Sequence, residues 1–285
     1  MYKLNEFATH YIESKESLGF EPSDYSKFKF GLSSVGYKYG LDLWKGFHAR
    51  FSDRLREYET IRVFGSPYQY LPTAAHTISN SFIAELSRTL PKTTVVEGKL
   101  NRATTYTVDY GSLTAAERMN LISSDTFNLD EEFDNSDLLI FIDDIKITGT
   151  HEKVVKKVLN SKSIQNDAIF LYHAVLVDQT VHPSFENELN YHHVKGIDEL
   201  IALVNQESFA INTRFVKFTL GCDSPDFKMI CNSIPYSLLQ EIRQGANMNG
   251  YDKLDEFREN LEELSKLLDN ELVDSYHYSK QKRQF

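Results

Sequence analysis

Hydrophobic and polar positions fall into three kinds of pattern along this chain. The first is the short, nearly uninterrupted apolar run. Residues 138–142 and 168–177 have the pattern of strands buried on both faces, as in a parallel sheet. Thr60–Phe64 reads as a first central strand, residues 93–97 as a second, and residues 214–220 as a further strand. The second pattern is helical spacing between those runs. It predicts a helix over residues 73–89, opened by Pro72, another through Val154, Val155 and Val158 to about Leu159, and a third over Ile197–Val204. Strands alternating with helices imply an α/β fold with a mostly parallel central sheet flanked by helices.

The third pattern belongs to the ends. Residues 1–22 read as a polar helix with Phe7, Tyr11 and Ile12 facing inward. Residues 25–59 are aromatic-rich, with Tyr25, Phe28, Phe30, Tyr37, Tyr39, Trp44, Phe47 and Phe51. They predict a subdomain core with a helix over about 41–58, the alternative being a platform for stacking bases. From Leu254 onward, Phe257, Leu261, Leu264, Leu268 and Leu272 recur every three or four residues, which makes an amphipathic helix. Such a helix docks on its own domain or forms a dimer seam, so a homodimer stands among the expected partners. Between the second strand and the run at 138, residues 98–137 form a long insertion, acidic in its second half, of the kind that acts as a lid. The expected organisation is an N-terminal helical, aromatic-rich subdomain at 1–59, a core at 60–250 with the lid insertion at 98–137, and a C-terminal helix and tail at 251–285.

Composition narrows the function. The chain has 285 residues, 41% of them hydrophobic, enough for one large α/β domain with additions. A formal charge of −10 disfavours broad nucleic-acid binding, which leaves a basic footprint. No segment has the uncharged apolar length of a membrane span, and Met-Tyr-Lys-Leu-Asn-Glu at the start has no apolar signal core, so the expected location is the cytoplasm. The two cysteines, Cys222 and Cys231, make neither a disulfide framework nor a metal knuckle.

The chemistry concentrates in residues 138–150, Leu-Leu-Ile-Phe-Ile-Asp-Asp-Ile-Lys-Ile-Thr-Gly-Thr. If the apolar run is a parallel strand, Asp143 and Asp144 sit at its carboxyl end, where open α/β sheets bind ligands. The Thr-Gly-Thr turn then leads into a helix whose first N–H groups lack partners and favour an anion. Carboxylates for hydroxyls or Mg²⁺, followed by a phosphate seat, suit a sugar phosphate. Competing phosphate motifs fail: there is no GxGxxG, no Gly-Lys-Ser/Thr, and Ile145 breaks the Asp-x-Asp of an aspartyl phosphatase.

This segment resembles the thirteen-residue phosphoribosyl pyrophosphate (PRPP) motif of type I phosphoribosyltransferases. The resemblance implies that Asp143 and Asp144 engage the ribose hydroxyls and Mg²⁺, and that Thr148, Gly149 and Thr150 wrap the 5′-phosphate. His151 stands where many members have Thr or Ser, and Lys146 could reach phosphate. Ile147 replaces the acid that handles the base proton in purine-salvage members. The loop after the first strand, Gly65, Ser66, Pro67 and Tyr68, corresponds to the pyrophosphate loop, often built on a cis peptide, although a plain turn is the other reading of those residues. It lacks the basic residue many members place there. Lys99, Arg102 and Arg118, with Tyr106, Asp109 and Tyr110 between them, occupy the slot of the mobile catalytic loop. The strings Gly-Ser-Pro-Tyr, Lys-Leu-Asn-Arg, Asp-Tyr-Gly-Ser-Leu and Asp-Asp-Ile-Lys-Ile-Thr-Gly-Thr-His-Glu are similar to a branch found in bacterial tellurite-resistance and stress gene clusters.

The implied activity is transfer of phosphoribose from Mg-PRPP to a nitrogen acceptor with release of pyrophosphate. Asp143, Asp144, Lys99 and Arg102 are the candidate catalytic residues, and acceptor contacts are expected from residues 27–39 or after Gly221. The alternative is a non-catalytic protein that binds PRPP or a related nucleotide for regulation. An RNA-binding regulator on the same scaffold conflicts with the acidic balance.

Overall fold

The computed structural model describes residues 4–102, 127–129, 133–178 and 180–282. Its centre is a five-stranded sheet in the order β1-β7-β6-β2-β3, every pair parallel. The strands are β1 (Leu4–Ile12), β2 (Thr60–Phe64), β3 (Thr94–Gly98), β6 (Leu138–Lys146) and β7 (Ala168–Leu176). β4 (Asn101–Arg102) and β5 (Phe127–Asn128) form a separate antiparallel pair that ties together the two ends of the insertion.

The apolar runs become strands because both faces of the sheet are covered. α1 (Pro22–Lys29), α2 (Ser33–Leu55) and α3 (Ala75–Thr89) belong to one side, where Leu43, Trp44, Phe47, Phe82 and Leu86 share a core with Ile61, Val63, Ile140, Ile142 and Leu171. On the other side α4 (Thr150–Ser161) brings Val154, Val155 and Leu159 to Phe64, Phe141 and Phe170. Those three rings lie in register on neighbouring strands and stack at 5.1 and 5.2 Å. Strand register thus fixes a ladder directly below the acids of β6.

Residues 4–12 form a strand where the sequence suggested a helix. Phe7, Tyr11 and Ile12 fit a helical face, but β7 is buried along its whole length and needs a neighbour on its outer side. β1 supplies it, with Leu4 opposite Ala168 and Ile12 opposite Leu176. Phe7 then packs on Phe47 and Phe51 of α2. α2 itself starts at Ser33, well before the expected residue 41.

The remaining elements build a helical cap: α5 (Phe185–Asn190), α6 (Ile197–Val204), α7 (Thr213–Gly221), α8 (Ser224–Ser233), α9 (Tyr236–Met248) and α10 (Asp255–Lys282). α7 replaces the strand expected over 214–220. Asn212 caps it by accepting from the Phe215 N–H at 2.9 Å, and Phe215, Val216, Thr219 and Leu220 are buried at helical spacing. α10 docks on its own chain: Phe257, Leu261, Leu264 and Leu268 share a core with Phe215, Leu220 and Ile242. No helix among the described residues is long and apolar enough to cross a membrane.

Gly40 lets α2 approach α3 closely. A Cβ there would lie 2.4 Å from the Ile78 carbonyl oxygen, a backbone atom that cannot swing aside. Gly40→Ala is therefore expected to destabilise the fold by about 1–3 kcal/mol through overpacking, against a helix-propensity gain of about 1 kcal/mol. Thermal melting of the variant checks this; an unchanged or higher Tm would contradict it.

Candidate active site

β6 is buried through Ile142, and Asp143 and Asp144, half-buried and buried, follow toward the carboxyl edge of the sheet. The chain then turns through Ile147, Thr148 and Gly149. Gly149 has φ 66°, a left-handed conformation that glycine adopts without strain, and it caps α4. The turn and the first residues of α4 line a cavity of about 180 Å³, together with Ser66, Pro67, Asp143, Asp144 and Tyr172. The first-turn N–H groups of α4, which no carbonyl of that helix can satisfy, belong to this wall. Thr148 and Thr150 place their hydroxyls 2.7 Å apart across the turn.

The two acids have different partners. Asp143 accepts from Ser66 Oγ and from the Asp144 N–H through Oδ1, and meets His151 Nδ1 at 2.7 Å through Oδ2. Burial alone would raise its pKa. The His151 charge and the hydrogen bonds from His151, Ser66 and the Asp144 amide outweigh that, holding the carboxyl well below the usual carboxylate range. Asp144 Oδ2 accepts from Lys29 Nζ at 2.5 Å and from Tyr25 OH at 2.7 Å. Burial first, then the Asp144 and Glu186 charges, push the Tyr25 phenol far up, so it remains a donor.

The other expected residues divide. Ile147 is buried and also lines the cavity. Lys146 lines it too, with its ammonium shared between Glu6 and Glu152, the latter at 2.6 Å. Burial disfavours that charge, but hydrogen bonds to Glu152 and Glu6 more than restore it. Of the first loop, Ser66 and Pro67 line the cavity; Gly65 and Tyr68 are not among its wall residues. The peptide bonds of the described residues are all trans, including Ser66–Pro67, where the resemblance suggested a cis bond. Lys99 lies outside the wall, donating to the Gln69 carbonyl at 3.0 Å with its ammonium 4.6 Å from the Tyr68 ring centre. Arg102 falls in β4, and Tyr106, Asp109, Tyr110 and Arg118 lie outside the described residues.

Sequence reasoning gave no individual site role to four charged or polar groups from other elements. Lys29, Glu186 and Arg214 line the cavity from α1, α5 and α7, and Tyr25 backs Asp144. Lys29 falls within the 27–39 segment singled out for acceptor contacts, whereas no described residue after Gly221 lines the wall. Arg214 spreads its guanidinium over Phe30 and Tyr191, at 5.9 and 5.7 Å from the ring centres. Reading 214–220 as a strand hid it; the Asn212 cap was the available signal.

A family model described as PRTase ComF-like matches residues 4–264. The chain belongs to this ComF-like phosphoribosyltransferase family. A comparison with curated proteins returns no match. Similar solved structures include a hypoxanthine phosphoribosyltransferase from Staphylococcus aureus, with 11% identity and a TM-score of 0.33, covering 50% of this chain and 75% of that one. An adenine phosphoribosyltransferase has 15% identity and a TM-score of 0.31, covering 48% and 70%. Family membership rests on the model match, which spans nearly the whole chain.

The resemblance implies Mg²⁺. Adjacent carboxylates are the hard oxygen donors it takes one or two of, with waters and substrate phosphates completing its shell. Among the described residues no three His, Cys, Asp or Glu groups converge into a metal site. Two adjacent carboxylates would suit a metal shared with substrate better than a closed protein site.

Proposed function

We propose that this protein transfers the phosphoribosyl group of PRPP to a nitrogen acceptor and releases pyrophosphate. The observation that carries this reading is the convergence of Asp143, Asp144 and the Thr148–Gly149–Thr150 turn on one cavity. The turn and the α4 N-terminus seat the 5′-phosphate, and the two carboxylates hold the ribose hydroxyls. Mg²⁺, when bound with the substrate, would supply charge neutralisation at the pyrophosphate. As the C1–oxygen bond to pyrophosphate breaks, the leaving group takes the bonding electrons and the acceptor nitrogen donates its lone pair to C1. The chain's contribution is positioning, charge stabilisation and exclusion of water. Lys99, Arg102 and Arg118 remain candidates for the closing loop.

Ile147 cannot move a proton, and an acceptor that reaches C1 already nucleophilic needs no base at that position. The same residue, with a first loop that carries no cation, favours the second reading, a PRPP or nucleotide sensor without turnover. Placement in the branch associated with tellurite resistance and stress clusters extends the proposal from the sequence strings alone, and a cytoplasmic location from the lack of an apolar span or signal core in the sequence.

Pyrophosphate release separates the readings. Incubation with Mg-PRPP and a panel of nitrogen acceptors is expected to give acceptor-dependent pyrophosphate. Tight PRPP binding with no release from any acceptor would favour the sensor.

A further inference from the structure

Asp143 is held by groups of its own turn and the neighbouring loop, whereas Asp144 is held by a cation from a distant helix. Lys29, the last residue of α1, reaches across the cavity wall to Asp144 Oδ2, and the two side chains are only 13% and 8% exposed. Both residues line the cavity. The carboxylate expected to grip a ribose hydroxyl therefore already carries an ammonium.

We propose that Lys29 is a counter-ion displaced by substrate: it neutralises Asp144 in the unliganded site, leaves when phosphoribose takes that carboxylate, and carries its charge to the pyrophosphate. This inference rests on the PRPP reading. An ammonium on Asp144 competes with ribose hydroxyl donors and with any divalent cation for the same oxygen lone pairs. Lysine suits an exchange of partners, being a compact charge on a flexible four-carbon stem. Asp144 keeps a donor when Lys29 leaves, because Tyr25 OH is bonded to the same oxygen. The destination follows from where the other cations stand. The Gly65–Tyr68 loop has none, Lys99 is outside the wall, and Lys146 is shared by two acids. Arg214 is laid over two aromatic rings. Among the described residues, Lys29 is the wall cation whose carboxylate the substrate itself claims.

The test uses ribose 5-phosphate, which has the diol and the 5′-phosphate but no pyrophosphate. Amine-modification rates at Lys29, followed by mass spectrometry on the parent protein, are expected to rise about threefold or more with Mg²⁺ and saturating ribose 5-phosphate, and to fall again with Mg-PRPP. In titration calorimetry, Lys29→Met is expected to bind ribose 5-phosphate severalfold more tightly than the parent and to lose about tenfold of the parent's preference for PRPP over it. A modification rate indifferent to ribose 5-phosphate, or equally fast with PRPP, would overturn the proposal even if the variant proves unstable. If the folded parent binds neither ligand, the PRPP reading falls and this inference with it. If both bind while Lys29 stays unresponsive, only this inference falls.

Discussion

Asp143→Asn is expected to lower phosphoribosyl transfer by about 100-fold or more, the loss that follows when a reacting centre is misplaced by about an ångström. The carboxylate accepts from Ser66 Oγ, the Asp144 amide and His151 Nδ1. An asparagine of the same shape offers one oxygen and no charge. Its NH₂ either faces the Asp144 amide, which can only donate, or forces His151 Nδ1 to become an acceptor, and the ribose loses a charged grip. Because those same partners keep Asp143 ionised well below the usual carboxylate range, its charge does not limit activity near neutral pH. Its folded pKa is depressed, so its stabilising contribution is complete above the unfolded value of about 4 and is lost as pH falls below it. Initial rates of pyrophosphate release, with melting curves as control, check the prediction. Parental rates from a folded variant would remove Asp143 from the site.

The second large effect concerns stability in acid. His173 on β7 is 1% exposed and stacks on Tyr39 at 3.7 Å between centroids, with His10 and Phe20 each at 4.9 Å. Neither ring nitrogen has a hydrogen-bond partner among the described residues. Burial first, then the nearby His10 and Lys38, push its pKa down to about 3. The unfolded chain protonates this ring near 6.5 while the folded protein does not. Between about pH 6.5 and 3 the unfolded state therefore gains a proton, and stability falls by about 1.4 kcal/mol for each pH unit from this group alone. His173→Phe keeps a stacking ring and removes the titration. Its denaturant stability relative to the parent is expected to improve by about that slope as pH drops from 6.5 to 4.5. A difference independent of pH would contradict the account.

Much of this fold was legible because its signals are local. The buried runs of β6 and β7, the strand Thr60–Phe64 and the helix at Ile197–Val204 appear where their apolar spacing put them. The two mistaken element types came from non-local forces. Residues 4–12 carry a pattern that suits either element, and pairing with β7 decides it. Residues 214–220 are rich in aromatic and β-branched side chains, but burial against α10 and the Asn212 cap make them helical. The candidate site divides in the same way. Asp143, Asp144 and Thr148–Thr150 could be read from one segment. Lys29 is 115 residues from its carboxylate, and Tyr25 is 119, so only the tertiary fold reveals that Asp144 is already neutralised.

The most direct test of the central claim is calorimetric titration of the folded protein with PRPP, with and without Mg²⁺. The account predicts saturable binding that strengthens with Mg²⁺ and is lost or strongly weakened in Asp143→Asn. Absence of binding by the folded parent protein under both conditions would contradict it.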